Sequence, residues 1–398
     1  MGKRIESISE CPAGNIVAIS GIDATLKKTG TITTCENAYN IKTMKFSVAP
    51  IVKVAVIPKE KKDLNKFHEG LDKLGKSDPL CVIEFNEQGQ AIVGCAGELH
   101  LEIILSDLSD FANCKFKVEP PQCSYYEGIS APVEKIRMTK SSNKHNRISM
   151  TAECLDSEII DNLYKVNHKD PKERVRLFKE HLNVSGEWVK KIMSLCPEEE
   201  PLNMLVDETK GIQYLNEVKD HINNGMKQGT SYGPILGEKV RGVRFNLKDV
   251  VLHADSIHRG ANQILNPVER LCRGLILDGS PVIYEPIFSL NLSVVKTYGM
   301  ACETIIKKRR GLILDTYQEG DSHKIEATIP VVASFGMNKE LREASKGYAY
   351  INLSLSHFDV CPGSLDKPES VMGTIVQNVR DYKKINTKLE SSAYFDTL

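Results

Sequence analysis

The chain has 398 residues, and its 41% hydrophobic and 26% charged residues are typical of a globular protein of about two to four domains. No run of about 18 apolar residues occurs, which argues against a membrane-spanning helix, and the N-terminus has no apolar segment of a secretory signal. The net charge of +0 means that a polyanionic partner must be met by local basic patches. The 11 cysteines form no C-x-x-C pair, which favours reduced thiols over a disulfide scaffold or a zinc ribbon.

The first part of the chain has the pattern of short β-strands. The stretch "NIVAIS" precedes the turn-like "GID", and "TGTITT" alternates β-branched residues. These segments predict part of a β-barrel, but too few strands are present to close one, and open barrel edges are a liability. The pattern therefore predicts that the chain begins within a domain.

From Ile51 onward the elements follow the order β-α-β-β-α-β. The strand "IVKVAVIP" is followed by "LNKFHEGLDKL", whose apolar residues have helical spacing. The strands "LCVIEF" and "QAIVGC" are joined by the hairpin signal "NEQG", and the helix "ELHLEIILSDLSDF" and strand "CKFKV" follow. This order predicts a split βαβ domain.

The same order of elements recurs near the C-terminus. The strand "PIFSLNL" precedes a helix from Thr297 to Arg309, the strands "LILDTY" and "KIEATIP", a short helix from Asn338 to Ser345 and the strand "YAYINLSLS". The recurrence predicts a second split βαβ domain. The tail beyond Pro362 is charged and patchily apolar, which predicts a strand or helix docked on another domain.

The region between Gln122 and Pro281 mixes strands with helices. A long strand, "RGVRFNLKDVVLHA", is predicted to run into "DSIHRG", and "NQILNPVERLCRGLILDG" predicts a helix. The stretch "LHADSIHRG", with two histidines, an aspartate and a serine, therefore lies on a loop, where functional residues concentrate.

Two basic runs stand out. The run from Lys135 to Arg147, "KIRMTKSSNKHNR", has five cations and no acid, and its interior "SSN" predicts a turn. Cations on an exposed loop suit contact with phosphates. The run "KKRR" from Lys307 to Arg310 is interpreted as the solvated end of a helix, where cations suit the helix dipole.

Catalytic interpretations of "LHADSIHRG" are disfavoured. A zinc site on His253, Asp255 and His258 lacks a fixed geometry and a further ligand. A hydrolase site on Ser256, His258 and Asp255 lacks a G-x-S-x-G elbow, and no phosphate-binding G-x-x-x-x-G-K-[ST] motif occurs. The plain alternative is that His253 packs in the strand and His258 is a solvated loop residue.

Longer segments carry a resemblance to a family. The segment "VRGVRFNLKDVVLHADSIHRG" resembles the long strand and tip loop of the eukaryotic elongation factor 2 family of translational GTPases, and "SSNKHNRISM" resembles its neighbouring tip loop. The segment "KSDPLCVIEFNEQGQAIVGCAGELHLEIILSDL" is similar to the third domain, "ASFGMNKELREASKGYAY" to the fifth and "CPAGNIVAISGIDATLKKTGTITT" to the closing half of the second. The resemblance covers essentially the whole chain in order and implies a C-terminal part that lacks the GTP-binding domain.

The resemblance implies an α+β multidomain fold. A partial β-barrel and two ferredoxin-like split βαβ domains would accompany an α+β domain like domain 2 of ribosomal protein S5, which the two ferredoxin-like domains flank. The implied boundaries are 1–47 for the C-terminal part of the second-domain barrel, 48–121 for domain III, 122–282 plus 366–398 for domain IV with its docked tail, and 283–365 for domain V.

The resemblance also implies a role in translation elongation. The family promotes translocation of tRNA and mRNA after peptide-bond formation, and the tip of domain IV enters the decoding site of the ribosome. His258 aligns with the histidine that is converted to diphthamide, the target of ADP-ribosylating toxins. Contacts with the ribosome or tRNA are implied for the other tip residues, Lys140, Asn143, Lys144, His145, Asn146, Arg147, Asp255, Arg259 and Gly260. Gly260 is expected to shape the loop through a positive φ.

Cofactors and partners follow from the same resemblance. No catalytic site, metal or cofactor is expected on this chain, because GTP and Mg would belong to the missing GTPase domain. The implied partners are the ribosome, with its decoding-site rRNA and the tRNA–mRNA, and the diphthamide-synthesis enzymes, in the cytoplasm and without membrane or DNA. The segment Ala261-Asn262 replaces the family's glycine-rich continuation, which predicts a stiffer tip loop.

Three alternatives stay open. A sibling GTPase of an RNA particle, either spliceosomal or involved in large-subunit maturation, would share the architecture, although "SIHRG" beside "NKHNR" favours the translation factor. A metal-dependent hydrolase using His253 and His258 would need a third ligand. The third alternative is an inert truncated fragment.

Overall fold

The computed structural model describes residues 6–22, 25–26, 29–41, 50–85, 90–167, 170–182, 184, 187–198 and 200–397. The chain divides into two compact units, Met1–Cys123 (unit 1) and Ser124–Leu398 (unit 2). Among the described residues, none of the helices has the length and apolar character that crossing a bilayer requires. The mixture of helices with largely antiparallel sheets confirms the predicted α+β multidomain class.

The N-terminal segment differs from the sequence prediction. The described residues between positions 6 and 41 form turns and bends but no strand, so the strands predicted at "NIVAIS" and "TGTITT" are wrong for this structure. Ile16 and Ile32 within them are 84% and 69% exposed. A strand exists only where a neighbour completes its hydrogen bonds, and β-branched alternation without such a neighbour does not make a sheet.

Unit 1 contains the first predicted split βαβ domain. Its elements are β1 (Val52–Pro58), α1 (Leu64–Ser77), β2 (Val82–Phe85), β3 (Ala91–Cys95), α2 (Glu98–Ala112), β4 (Phe116–Val118) and β5 (Gln122–Cys123). The strand order β2-β3-β1-β4 is the one that the β-α-β-β-α-β pattern predicts, and β5 also pairs with β1. The hairpin "NEQG" at 86–89 lies outside the described residues.

The helices of unit 1 bury one apolar face each. In α1 this face is Phe67, Leu71 and Leu74, whose spacing of four and three residues returns them to one side of a helix. The corresponding face of α2 includes Leu101, Ile104 and Leu108. The two helices approach closely at Gly70, where a Cβ would lie 2.6 Å from the Cβ of Ala112 and 2.8 Å from its Cα.

Replacing Gly70 with alanine is expected to destabilise unit 1 by about 2 kcal/mol, the usual cost of overpacking. The atoms in the way belong partly to the backbone of Ala112, which cannot turn aside as a long side chain can. Hydrogen exchange of the α1 and α2 amides should become faster in the variant. Gly75→Ala in the same helix is the matched control, because its Cβ would meet only the flexible end of Ile83 at 3.2 Å. Equal exchange in the two variants would contradict the close approach.

The first sheet of unit 2 supports the predicted loop. The elements up to the end of this region are β6 (Tyr126–Ile129), β7 (Val133–Lys140), β8 (Arg147–Cys154), α3 (Ser157–Asn162), α4 (Pro171–Leu182), α5 (Glu187–Lys190), β9 (Ile192–Cys196), β10 (Asn203–Asp207), α6 (Leu215–Ser231), β11 (Val243–Val251) and α7 (Ala261–Asp278). The strand order is β7-β8-β11-β10-β9, with β10 and β11 parallel and joined through α6. The apolar faces of α6 and α7 pack on this sheet in one buried cluster.

Strand β11 confirms the predicted long strand and carries a bulge. Val243, Phe245 and Leu247 enter the buried cluster, and the register with β8 then shifts between Leu247 and Asp249. The extra residue moves Val250 onto the core side, where strict alternation would have placed Asp249. The strand therefore stays anchored up to the start of the "LHADSIHRG" loop.

The second sheet of unit 2 contains the other predicted split βαβ order. Its elements are β12 (Pro281–Val295), α8 (Gly299–Lys308), β13 (Leu312–Glu319), β14 (Ser322–Pro330), α9 (Val331–Ser334), α10 (Met337–Ala344) and β15 (Tyr350–Val360). The strand order is β13-β14-β12-β15, and β6 also pairs with β12. The tail then forms α11 (Val371–Lys383), which docks through Arg380 and Lys383 onto the carbonyl oxygens of Ile235 and Leu236 at 2.7 and 2.9 Å.

Candidate nucleic-acid interface

Two loops leave the same end of the first sheet of unit 2. Arg147, the first residue of β8, pairs with Lys140 at the end of β7 and with Val251 at the end of β11. Tip loop 1 (residues 141–146) joins β7 to β8, and tip loop 2 (residues 252–260) joins β11 to α7. The register of β8 thus brings together the two segments that the sequence singled out.

Tip loop 1 is a compact turn, as its "SSN" sequence predicted. The N–H of Ser141 donates to the carbonyl of Asn146 at 3.0 Å, and the N–H of Lys144 donates to the carbonyl of Ser141 at 2.8 Å. The Asn143 side-chain oxygen accepts from the N–H of His145 at 3.1 Å. Lys144 adopts a φ of 60°, so the loop holds this lysine at its apex in a left-handed conformation.

Asn146 joins the two tip loops. Its side chain is buried, with 1% of the residue exposed. The amide nitrogen donates to the carbonyl of His258 at 2.8 Å, and the amide oxygen accepts the N–H of His253 at 3.1 Å. Asn143 donates a second bond to the His258 carbonyl at 3.1 Å. The backbone of His258 is therefore fixed by side chains from the other loop.

Three histidines meet at the tip. The ring centroids of His145, His253 and His258 lie 4.5 to 4.9 Å from one another, in tilted and edge-on arrangements. The Nδ1 atom of His253 accepts the N–H of Asp255 at 3.1 Å, so this nitrogen is already occupied. Within the described ranges, no group of three or more His, Cys, Asp or Glu side chains could hold a metal ion. The short distances between the centroids show that the three rings pack against one another.

Tip loop 2 ends in a short helix whose N-terminus is capped by a side chain. The Asp255 carboxylate accepts the N–H of Ile257 at 3.2 Å and begins a short 3-10 helix, Ser256–Arg259. Gly260 has a φ of −57°, so the positive φ expected from the sequence is wrong. The cap and the immediate start of α7 at Ala261 turn the chain, so no left-handed residue is needed there.

The buried side chain of Arg259 connects tip loop 2 to residues of another part of the domain. Only 6% of its side chain is exposed. Its guanidinium pairs with Glu217 at 2.8 Å and lies 4.0 Å from the ring centroid of Tyr214. This use differs from the RNA contact expected from the sequence. Sequence reasoning missed Glu217 on α6 and Tyr214 just before that helix, because residues that are distant in the sequence give no local signal.

Gln263 is a further link that the sequence analysis did not assign to the tip. Its side-chain oxygen accepts from the hydroxyl of Ser142 at 2.8 Å and from the N–H of Asn143 at 3.2 Å. The first turn of α7 therefore holds tip loop 1, in addition to the bonds made by Asn146.

Three cations of the first basic run remain available, whereas Arg137 of the same run pairs with Asp278 at 2.7 Å. Lys144 and Arg147 are exposed, and Lys140 is half-buried. In the part of the chain that the structure describes, none of these three side chains forms an ion pair. Unpaired cations around a rigid protrusion suit contact with a phosphate backbone.

The two arginines of the second basic run form ion pairs within the protein. Arg309 pairs with Glu340 at 2.7 Å and donates to the carbonyl of Phe335 at 2.7 Å. Arg310 pairs with the buried Glu285. The interpretation of "KKRR" as a purely solvated helix end is therefore wrong for its two arginines, whose guanidinium groups have internal partners.

Comparisons with known proteins agree with this architecture. The family described as "Elongation factor G, domain IV" matches residues 164–280, "Elongation factor G C-terminus" matches 282–379 and "Elongation Factor G, domain III" matches 48–120. The protein named "Elongation factor 2" from Encephalitozoon cuniculi (strain GB-M1) is 47% identical over 402 residues, which cover 100% of this chain and 47% of that protein. The chain thus spans about half the length of this curated relative. With these matches in the predicted order, the chain belongs to the elongation factor G and elongation factor 2 family.

Proposed function

We propose that the chain acts in translation elongation, as the ribosome-contacting part of a factor that promotes translocation of tRNA and mRNA. Tip loops 1 and 2 would enter the decoding site of the small subunit. The observation that carries this proposal is the rigid tip, in which Asn146 fixes the His258 backbone at 2.8 Å beside cations that lack internal partners. A rigid basic protrusion meets phosphates with little loss of conformational entropy.

The proposal gives His258 a specific role. It would be converted to diphthamide, and the modified residue would be the target of ADP-ribosylating toxins. The side chain of His258 is half-buried against His145 and His253, and its carbonyl is held from two sides. A cation added to a ring in this position would be presented at a fixed point of the tip. The diphthamide-synthesis enzymes would therefore be partners of the same loop.

The remaining parts of the proposal concern the longer factor. GTP and Mg would bind outside this chain, in a GTPase domain, and the factor would act in the cytoplasm. The sibling alternative, a GTPase of the spliceosome or of large-subunit maturation, would share the fold but would act on a different RNA particle.

Mass spectrometry of the protein from its native cells tests the role of His258. The tryptic peptide Asp249–Arg259, "DVVLHADSIHR", is expected to carry a mass increase on His258 that matches diphthamide. The peptide Gly311–Lys324, which contains His323, is the internal control and should be unmodified. An unmodified His258 would contradict the diphthamide proposal. Co-sedimentation with ribosomes tests the broader role separately, and absence from the ribosomal fraction would contradict it.

A further inference from the structure

A cleft of about 300 Å³ lies between tip loop 1 and helix α7. Its lining includes Lys140, Ser142, Lys144, Asn266, Arg270 and Asp396. One wall therefore comes from the basic tip, the other from the first half of α7, and the C-terminal tail contributes a single acid.

The Asp396 carboxylate is bound in this cleft as an anion. One of its oxygens accepts the N–H of Lys140 at 2.7 Å and also pairs with the guanidinium of Arg270. The tail is held in place by the N–H of Asp396, which donates to the carbonyl of Met138 at 3.0 Å. The cleft thus already binds one negatively charged oxygen with a backbone donor and a cation.

The cleft has more positive charge than Asp396 neutralises. Lys140, Lys144 and Arg270 contribute three cations against one carboxylate. Neither lysine has an ion-pair partner among the residues that the structure describes. Ammonium groups without such a partner, beside a guanidinium and a backbone N–H that already hold one carboxylate oxygen, suit a further anionic oxygen.

We propose that this cleft binds a phosphodiester group of an RNA strand through Lys140, Lys144 and Arg270, and that the Asp396 carboxylate competes with the phosphate for Arg270. The inference rests on the proposed function, because RNA that meets the tip passes beside this cleft. It adds a site on the flank of the tip and a tail residue that limits the affinity. Guanidinium groups bind phosphate and carboxylate oxygens with similar geometry, which makes the competition direct.

Binding of a fluorescently labelled RNA strand to the purified chain, measured by anisotropy over a range of KCl concentrations, tests this inference. Arg270→Gln is expected to reduce the slope of log affinity against log salt by about 1, the value for one lost phosphate contact. Asp396→Asn is expected to tighten binding about threefold, the effect of removing one partly exposed opposing charge. Lys179→Gln, an exposed lysine on α4, is the control and should leave both quantities unchanged.

The outcomes separate the parts of the proposal. A wild-type salt slope in Arg270→Gln would overturn the phosphate site, and weaker binding by Asp396→Asn would overturn the competition. Thermal unfolding followed through Trp188 shows whether each variant is folded, and Arg270→Lys, which keeps the charge, should restore most of the slope. Inorganic phosphate at matched ionic strength should not displace the RNA; displacement would assign the cleft to free phosphate. If the wild type co-sediments with ribosomes while the Arg270 variants behave as wild type, this inference fails and the proposed function stands.

Discussion

Glu127→Gln is expected to lower the free energy of unfolding of unit 2 by about 3 kcal/mol at about pH 5, the upper end of the range for leaving a buried hydrogen-bonding group without its partner. The Glu127 side chain on β6 is completely buried, and its carboxylate accepts the N–H groups of Ile235, Leu236 and Glu238 at 2.8, 2.8 and 3.0 Å. Glutamine offers one acceptor oxygen and turns N–H donors toward backbone N–H donors. At least one buried donor is then left without a partner.

The hydrogen bonds of Glu127 hold a junction of unit 2, which is the segment between α6 and β11 together with the helix α11 that docks on it. They fix the segment between α6 and β11, and the carbonyls of Ile235 and Leu236 in that segment accept from α11. Gly233 is required there, since a Cβ would lie 2.2 Å from a Glu127 carboxylate oxygen. Loss of the carboxylate is therefore expected to loosen the docking of α11 as well as the segment itself.

The contribution of Glu127 to the free energy of unfolding of unit 2 depends on pH. Burial raises the pKa of its carboxyl from 4.5 to about 7, although the three N–H donors act to lower it. The folded state thus binds the proton more tightly than the unfolded state does. The stability from this group is fully present below pH 4.5 and is lost as the pH rises through about 7. The difference between wild type and Glu127→Gln should therefore be larger at pH 5 than at pH 8.

Urea denaturation followed by the fluorescence of Trp188, the single tryptophan of the chain, measures this difference in unit 2. Glu134→Gln is the matched control, because Glu134 is exposed on β7 and the same substitution there should change little. Equal stability of the Glu127 and Glu134 variants would show that the carboxylate does not hold the junction. A difference that grows toward pH 8 would contradict the raised pKa.

Much of the fold could be predicted because its signals are local. The helical spacing in α1 and α2, the alternation in β11 and the repeated β-α-β-β-α-β order are properties of neighbouring residues. The strands expected at "NIVAIS" and "TGTITT" were wrong because pairing depends on a partner elsewhere in the chain. The bulge in β11 was also missed, since nothing in "VRFNLKDVV" marks which residue is extra.

The candidate site, like the fold, could be predicted from the sequence only where its signals are local. Its two loops could be located from turn residues, cations and the resemblance, but the contacts that fix them join distant residues. Asn146 and His253 are 107 positions apart, and Arg259 and Glu217 are 42 apart. Arg270 and Asp396 are 126 apart. The sequence contains each partner but does not say which residues meet, so an arginine that looked like an RNA contact is a buried support.

Asn146→Ala is expected to weaken the tip by about 2 to 3 kcal/mol, because it leaves buried polar groups without partners. The His253 N–H would lose its acceptor, and the His258 carbonyl would lose its 2.8 Å donor. Amide exchange in tip loop 2 should then become about 30- to 150-fold faster, which is the same free energy expressed as an opening equilibrium. Hydrogen exchange of a peptide that covers residues 252–260 measures this directly.

Asn143→Ala is the matched control for Asn146→Ala, because it removes only one of the hydrogen bonds between the two tip loops. Asn143 makes a 3.1 Å bond to the same His258 carbonyl but makes none to tip loop 2 through its oxygen, so exchange should increase only about fivefold, as for one hydrogen bond. Asn146→Asp is a sharper test. It keeps an acceptor for His253 but places a carboxylate oxygen against the carbonyl oxygen of His258, so the two loops should separate as much as in the alanine variant. If Asn146→Asp exchanged like wild type, the amide nitrogen of Asn146 would not be what holds His258, and the rigid tip would need another explanation.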